Sequence, residues 1–408
     1  MNATSDASAL LRQQQLEAQA GQFCQMAMQN FQRGNLPEAR GLLERALQML
    51  PEHALANALL GKVLHQQGDL NAARKAFDKA VAAMPTAWGP RFEKAQFLES
   101  IGEHRGAALM WRTGLQYLPE EQRNDPQIAP LVQRALESNR RDSEELREHL
   151  LGLTDELRNG EQDRTLRRYL HTLDISTGRR AFVTAKPIML AVPELPAVQF
   201  FDRTEFAWAR DVEAQTDKVL KELLDVSESD HAGFVPYVQT REGNDVGQFG
   251  ALDRDEGWSA YFLWNQGIRI AEHCERCPDT EAAIAMAPQI HIENRAPAVF
   301  FSALKPHTDI PPHNGATNAR LTVHLPLIIP ENCALQVGDD VRQWKMGELF
   351  IFDDTIRHAA WNHSNERRVV LIFDIWNPFL SDLEQRLIAR TIEGMVHYYE
   401  NSNDLGEL

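Results

Sequence analysis

The 408-residue sequence predicts an α+β chain of several domains, an N-terminal α-helical solenoid followed by a C-terminal double-sheet jelly roll with flanking helices. Three observations predict it. The first third repeats itself every 34 residues. A charged stretch with helical spacing follows. After Gly233 short apolar runs broken by Gly, Pro, Asn and Asp replace the helical period.

The repeat is carried by Gly34, Gly68 and Gly102, and the same step separates Ala39, Ala73 and Ala107. It also separates Ala46, Ala80 and Gly114, and Pro51, Pro85 and Pro119. Small Ala27, Gly61 and Ala95 precede the glycines by seven, and bulky Leu43, Phe77 and Trp111 follow the alanines by four. Each glycine, with Asn35, Asp69 or Glu103, opens a turn between two helices. Small residues let the helices approach, bulky ones fill the gap, and proline ends the second helix. The pattern resembles the tetratricopeptide repeat. Stacked pairs of this kind present a concave face, so docking of a partner or substrate is the functional expectation and a spacer the plainer one.

From about residue 120 to 178 the chain stays helix-patterned. Ser143 opens a run of Leu146, Leu150, Leu153 and Leu157 that closes near Gly160, and Leu166, Tyr169, Leu170 and Leu173 form a second run. Pro187, Pro193 and Pro196 break the pattern. A helix is expected over 205–223, and a last one over 381–399. Strands are expected at 298–304, 321–329, 335–337, 341–344, 349–352 and 369–375, with Gly338-Asp339-Asp340 as a hairpin turn.

Composition bounds the function. The net charge is −16, which disfavours binding to nucleic acid over the whole surface or docking on anionic lipid. Four cysteines are too few for a disulfide scaffold, and no apolar run nears the ~18 residues of a membrane span. The start lacks a basic stretch followed by an apolar one, so a reduced cytoplasmic protein is expected.

Four of the fourteen histidines fall between His307 and His358. His313 follows Pro311-Pro312 at the mouth between two strands, and His358 lies just past Phe352-Asp353-Asp354. Neutral imidazoles on neighbouring strand ends can share a metal ion. Arg368 enters an apolar strand, where its charge needs an anionic partner. A ligand carboxylate would serve. Asp374 on the same strand offers the rival, a structural ion pair. His324 faces either the interior or solvent.

Residues 302–324, with Phe352-Asp-Asp-Thr-Ile-Arg-His358, Trp258-Ser-Ala-Tyr-Phe-Leu-Trp264 and Phe373-Asp-Ile-Trp-Asn-Pro378, resemble the aspartyl/asparaginyl β-hydroxylase family. The resemblance covers about residues 195–385. It implies a double-stranded β-helix that uses Fe(II), 2-oxoglutarate and dioxygen to hydroxylate Asp or Asn, releasing succinate and carbon dioxide. Position by position it implies His313 and His358 as metal ligands, and Ser302, His324 and Arg368 as 2-oxoglutarate contacts, with Arg368 on the distal carboxylate. Arg320 matches a position near the substrate carboxylate. Many relatives in the wider superfamily carry a carboxylate two residues after the first histidine; here Gly315 stands there, a gap this branch shares. A further family arginine is replaced by Thr322. Two neutral ligands would leave the metal more positive than a triad, and this favours an acidic substrate side chain.

The domains expected are an N-terminal helix or tail over 1–20, three repeats over 21–120, a helical connector over 121–192, the Fe(II)/2-oxoglutarate oxygenase domain over 193–400 and a tail over 401–408. The expected partner is a peptide or protein substrate docked by the repeats. The alternative is a repeat adaptor with a degenerate barrel. A rival metal set is His307-Thr308-Asp309 with His358; on the favoured reading His307 and Asp309 lie on the pocket rim. Asp353 and Asp354 either orient His358 or form a solvated turn. Cys274 and Cys277 read as ordinary thiols rather than a zinc or redox site, and Trp258 and Trp264 as core rather than pocket lining.

Overall fold

The computed structural model describes residues 2–159, 163–240 and 247–399. The expected 401–408 tail and the Gly160 helix end lie outside the described residues. The chain divides into two compact units between Arg180 and Ala181.

The first unit is helical. Helix pairs α1 (Asn2–Gln32) and α2 (Leu36–Met49), α3 (Ala54–Gln66) and α4 (Leu70–Ala83), and α5 (Trp88–Ser100) and α6 (His104–Tyr117) follow the 34-residue period. The turns use the left-handed backbone that glycine tolerates: φ is 77°, 82° and 81° at Gly34, Gly68 and Gly102. Ala39, Ala73, Ala107, Leu43, Phe77 and Trp111 are buried. A Cβ on Gly61 would lie 2.8 Å from the Phe77 ring, so close helix approach demands the small residue. Helix α7 (Ala129–Leu153) runs on without a break at Ser143, which is buried within it rather than opening a helix. Burial won over the capping preference of serine. Helices α8 (Asp155–Arg158) and α9 (Asp163–Ser176) complete the unit.

The second unit is β-rich. Its strands are β1 (Phe200–Phe201), β2 (Val235–Pro236), β3 (Trp258–Asn265), β4 (Ile268–Arg269), β5 (Val299–Leu304), β6 (Thr308–His313) and β7 (Arg320–Ile328). They continue with β8 (Cys333–Val337), β9 (Asp340–Arg342), β10 (Phe350–Phe352), β11 (His358–Asn362) and β12 (Arg368–Trp376). An eight-stranded sheet has the order β1-β10-β7-β12-β5-β3-β2, with β4 on β3. A four-stranded sheet has the order β6-β11-β8-β9. Pairing between these strands is antiparallel throughout. The helix expected over 205–223 is split into α10 (Ala209–Glu213) and α11 (Thr216–Ser229). Helices α12 (Ala271–Arg276), α13 (Pro278–Ile284) and α14 (Asp382–Tyr399) follow.

Period-two alternation sorts the large sheet into two faces. Odd-numbered Phe301, Val323, Leu325, Leu371 and Phe373 pack with Val219 and Leu223 of α11 and Ile284 of α13. Even-numbered Leu304, Phe352 and Val370 pack instead with Ile310, Leu335, Val337 and Ala360 of the small sheet. Ser302, His324 and Arg368 belong to the same even-numbered set, so the pleat delivers them to the space between the sheets.

Candidate functional site

Residues Ser302, His313, Arg320, His324, His358 and Arg368 all line one cavity of about 170 Å³. They reach it from five strands of the large and small sheets. His313 ends β6 and His358 begins β11, and the two are direct cross-strand partners. Their ring centroids are 4.0 Å apart.

Hydrogen bonding sets their tautomers. His313 Nδ1 donates to the Pro311 carbonyl at 2.8 Å, and His358 Nδ1 donates to the Ile356 carbonyl at 3.1 Å. A carbonyl can only accept, so in each neutral ring the proton sits on Nδ1 and Nε2 keeps its lone pair. Burial, with the charge of His358 adding to it, pushes the His313 imidazole down to about 3. Burial likewise pushes His358 down to about 4. Both rings are thus neutral near pH 7 and able to ligate a metal. Among the described residues no group of three or more His, Cys, Asp and Glu side chains is arranged around a common point.

Gly315 explains the missing third carboxylate. A Cβ there would lie 2.2 Å from the Asp354 carboxylate. Asp354 already fills that space, and its Oδ1 is buried without a partner. The segment around the histidines is stitched together: Gly315 N–H donates to the Asp354 carbonyl at 2.7 Å, and Asn314 Nδ2 to the Thr355 carbonyl at 2.8 Å. A strap over residues 186–192 crosses both loops. Lys186 N–H donates to the Thr355 carbonyl, Ile188 N–H to that of Gly315, and Met189 N–H to that of Ala316.

Arg368 is 1% exposed. Its Nη1 reaches the Ser302 carbonyl at 3.3 Å and Ser302 Oγ at 3.4 Å, its guanidinium lies 4.8 Å from the Trp344 ring centre, and its Nε has no partner. Burial lowers its pKa to about 10. No carboxylate among the described residues pairs with it. The rival partner Asp374 bonds Arg320 Nη1 at 2.7 Å instead. Asp374 lies six steps along the strand from Arg368, about 20 Å at the usual ~3.3 Å rise, so an ion pair between them is out of reach.

Ser302 Oγ accepts from Trp258 Nε1 at 3.0 Å, which leaves its own proton free to donate. His324 is buried, and its Nδ1 accepts from Trp344 Nε1 at 3.3 Å. The proton of this neutral ring therefore sits on Nε2, the opposite tautomer to His313 and His358. Burial, then the Arg368 charge, keep it well below the ordinary histidine value. Arg320 carries Asp374 and, at 3.4 Å, Asp354. Burial works against its charge, but the two aspartates hold it protonated above its ordinary value.

His307 and Asp309 are exposed, bonded to Asn365 and His363, and neither lines the cavity. Asp353 is neither an orienting group for His358 nor a solvated turn: it is buried and accepts from Thr355 N and Oγ1. Trp258 lines the cavity as well as the core, stacked on Tyr237 at 4.1 Å, whereas Trp264 packs against the core, bonds Glu281 and does not line the cavity. Cys274 and Cys277 are free, buried thiols, each pushed up to about 12 by burial. Sequence reasoning missed Trp344, Tyr237 and the Arg320–Asp354 pairing, which depend on strand register rather than on any local motif.

A family model described as aspartyl/asparaginyl beta-hydroxylase matches residues 213–378, and a tetratricopeptide repeat model matches residues 24–87. The ornithine lipid ester-linked acyl 2-hydroxylase of Rhizobium tropici is 30% identical over 202 residues, which cover 48% of this chain and 67% of that protein. The human aspartyl/asparaginyl beta-hydroxylase is 34% identical over 135 residues, which cover 33% of this chain but only 18% of that protein. The solved Yersinia enterocolitica type III secretion chaperone SycD shares 16% identity and a TM-score of 0.27, over 30% of this chain and 89% of that one. The chain belongs to the aspartyl/asparaginyl β-hydroxylase family and carries tetratricopeptide repeats. No helix of the described residues is long and apolar enough to cross a membrane.

Proposed function

We propose that this chain is an Fe(II)- and 2-oxoglutarate-dependent hydroxylase acting on Asp or Asn of a peptide or protein, with its two sheets forming a double-stranded β-helix. The observation that carries this reading is Arg368, a buried guanidinium without a carboxylate partner, facing the same cavity as two imidazoles whose Nε2 lone pairs are free. An unpaired buried charge is costly and persists where a ligand supplies its counterion. His313 and His358 would hold the iron. Arg368, Ser302 and the Nε2–H of His324 together offer donors to a dicarboxylate. When bound, iron with 2-oxoglutarate and dioxygen supplies the oxidation that places a hydroxyl on an unactivated carbon. The chain's own residues orient the co-substrate, keep both imidazoles neutral and shield the cavity with Tyr237, Phe249 and Phe300. Asp354 supplies negative charge beside Gly315, which weakens the electrostatic case for an acidic substrate side chain.

The repeats support peptide docking, and a cytoplasmic setting suits four reduced cysteines. One observation favours a second reading of the substrate. Arg320, matched to the substrate carboxylate position, is already paired with two aspartates, and aromatic residues line much of the cavity. A neutral acyl chain, as the name of the Rhizobium tropici relative describes, would suit such walls. The test is aerobic turnover of 2-oxoglutarate with Fe(II), followed by mass analysis of offered peptides and lipids for a gain of one oxygen. Succinate coupled to hydroxylated peptide supports the first reading, and to hydroxylated lipid the second. Wild-type protein that binds neither iron nor 2-oxoglutarate leaves the adaptor reading.

A further inference from the structure

Trp344 belongs to no motif of the site, yet it touches two of the groups that face the cavity. It is 4% exposed, just beyond the short strand β9. Its indole N–H donates to His324 Nδ1 at 3.3 Å, and its ring lies under the Arg368 guanidinium at 4.8 Å. An indole N–H is a donor only, so its bond requires a lone pair on Nδ1. The bond therefore decides which nitrogen of His324 bears the proton. On His313 and His358, backbone carbonyls decide the question the other way. One cavity thus holds lone pairs on one wall and an N–H on another, and each assignment has a visible cause.

We propose that Trp344 is a positioning residue for anion binding: its indole N–H locks His324 in the Nε2–H tautomer, and its ring face holds the Arg368 guanidinium in place. The alternative tautomer of His324 would turn a lone pair toward a carboxylate oxygen and repel it. Without the ring, Arg368 would keep only its contacts to Ser302, both at the long end of hydrogen bonding. Cation–π contact is strongest where the cation is desolvated, as Arg368 is. The inference rests on the proposed co-substrate site, but its first readout does not require ligand.

The experiment compares wild type with Trp344→Phe, which keeps an aromatic face and removes the N–H. In metal-free protein, nitrogen-15 NMR of the His324 ring reports the tautomer directly. Wild type is expected to show protonated Nε2, and the variant a mixture or protonated Nδ1. With Mn(II) as the metal, calorimetric titration of 2-oxoglutarate is expected to show about tenfold weaker binding in the variant, roughly 1.4 kcal/mol. Mn(II) affinity is expected to be unchanged. Protonated Nδ1 in wild type overturns the proposal and needs no variant to fold. So does unchanged 2-oxoglutarate affinity in a folded Trp344→Phe protein. Wild type that shows the expected tautomer but binds no 2-oxoglutarate refutes the co-substrate reading instead.

Discussion

Arg368 is the residue on which stability and function oppose each other. Replacing a buried, unpaired charge with an apolar side chain of similar length removes a desolvation cost. Arg368→Met is therefore expected to stabilise the ligand-free protein by about 1–4 kcal/mol while abolishing 2-oxoglutarate binding. Chemical denaturation with a parallel binding titration checks both signs; a destabilised variant contradicts the account. Gly315 gives the converse case. Gly315→Asp would place a carboxylate where many relatives in the superfamily carry one, but its Cβ has to displace Asp354. It is expected to lower the melting temperature without tightening Fe(II) binding, measured by scanning calorimetry and metal titration. At this scale the sequence singled out His313, His358 and Arg368 by their places at strand ends, the resemblance supplied their expected roles, and the structure brings all three to one cavity. The partners of Arg320 were not legible. Asp374 lies two residues before Trp376, the cross-strand partner of Arg320, and that register exists only once β7 and β12 pair.

Among the elements, the helical repeats were the most legible, since turn, small and bulky positions all recur at one period. Gly61 is one of two repeat positions, with Gly114, where a Cβ would run into a neighbouring ring. Gly61→Val is expected to destabilise the first unit by roughly 1–3 kcal/mol through overpacking against Phe77, read from a shifted urea midpoint. The strands β5, β7 and β12 were also expected, because their apolar runs are long. Strand β6 was not: Thr-Asp-Ile-Pro-Pro-His reads as a loop. It forms an edge of the small sheet, where prolines without an N–H are tolerated. His313 consequently ends a strand rather than sitting in a connection between strands. The strap over residues 186–192 has no sequence signal either, since its backbone donors are spent on loops 120 or more residues away.

For the whole molecule, the buried titratable groups of the second unit set a direction for pH dependence. His313, His358 and His324 are held below the ordinary histidine value, so the unfolded chain binds their protons first as pH falls below about 6.5. Their stabilising effect is complete above that pH and is lost on acidification. Asp353, pushed up to about 6 by burial, and Asp374, raised by burial, act in the opposite sense between about pH 4 and 6. Three histidines outweigh two aspartates, so metal-free protein is expected to unfold at lower denaturant at pH 5.5 than at pH 7. An unchanged or higher midpoint at pH 5.5 contradicts this assignment of neutral imidazoles. The separation into a helical and a β-rich part was legible from the change in period after Gly233. The two faces of the large sheet were legible in principle from odd–even alternation, but which face met a second sheet required the small sheet to be found.

One cavity joins a neutral histidine pair to a buried arginine without a carboxylate partner. Calorimetric titration of 2-oxoglutarate into Mn(II)-loaded protein, with wild type and Arg368→Ala side by side, tests this arrangement most directly. Wild type is expected to bind one equivalent and the variant at least about 100-fold more weakly, the loss of about 3 kcal/mol that follows when one partner of a buried charge pair is removed. Wild type that takes up no 2-oxoglutarate, or a folded variant that binds it as tightly, contradicts this reading.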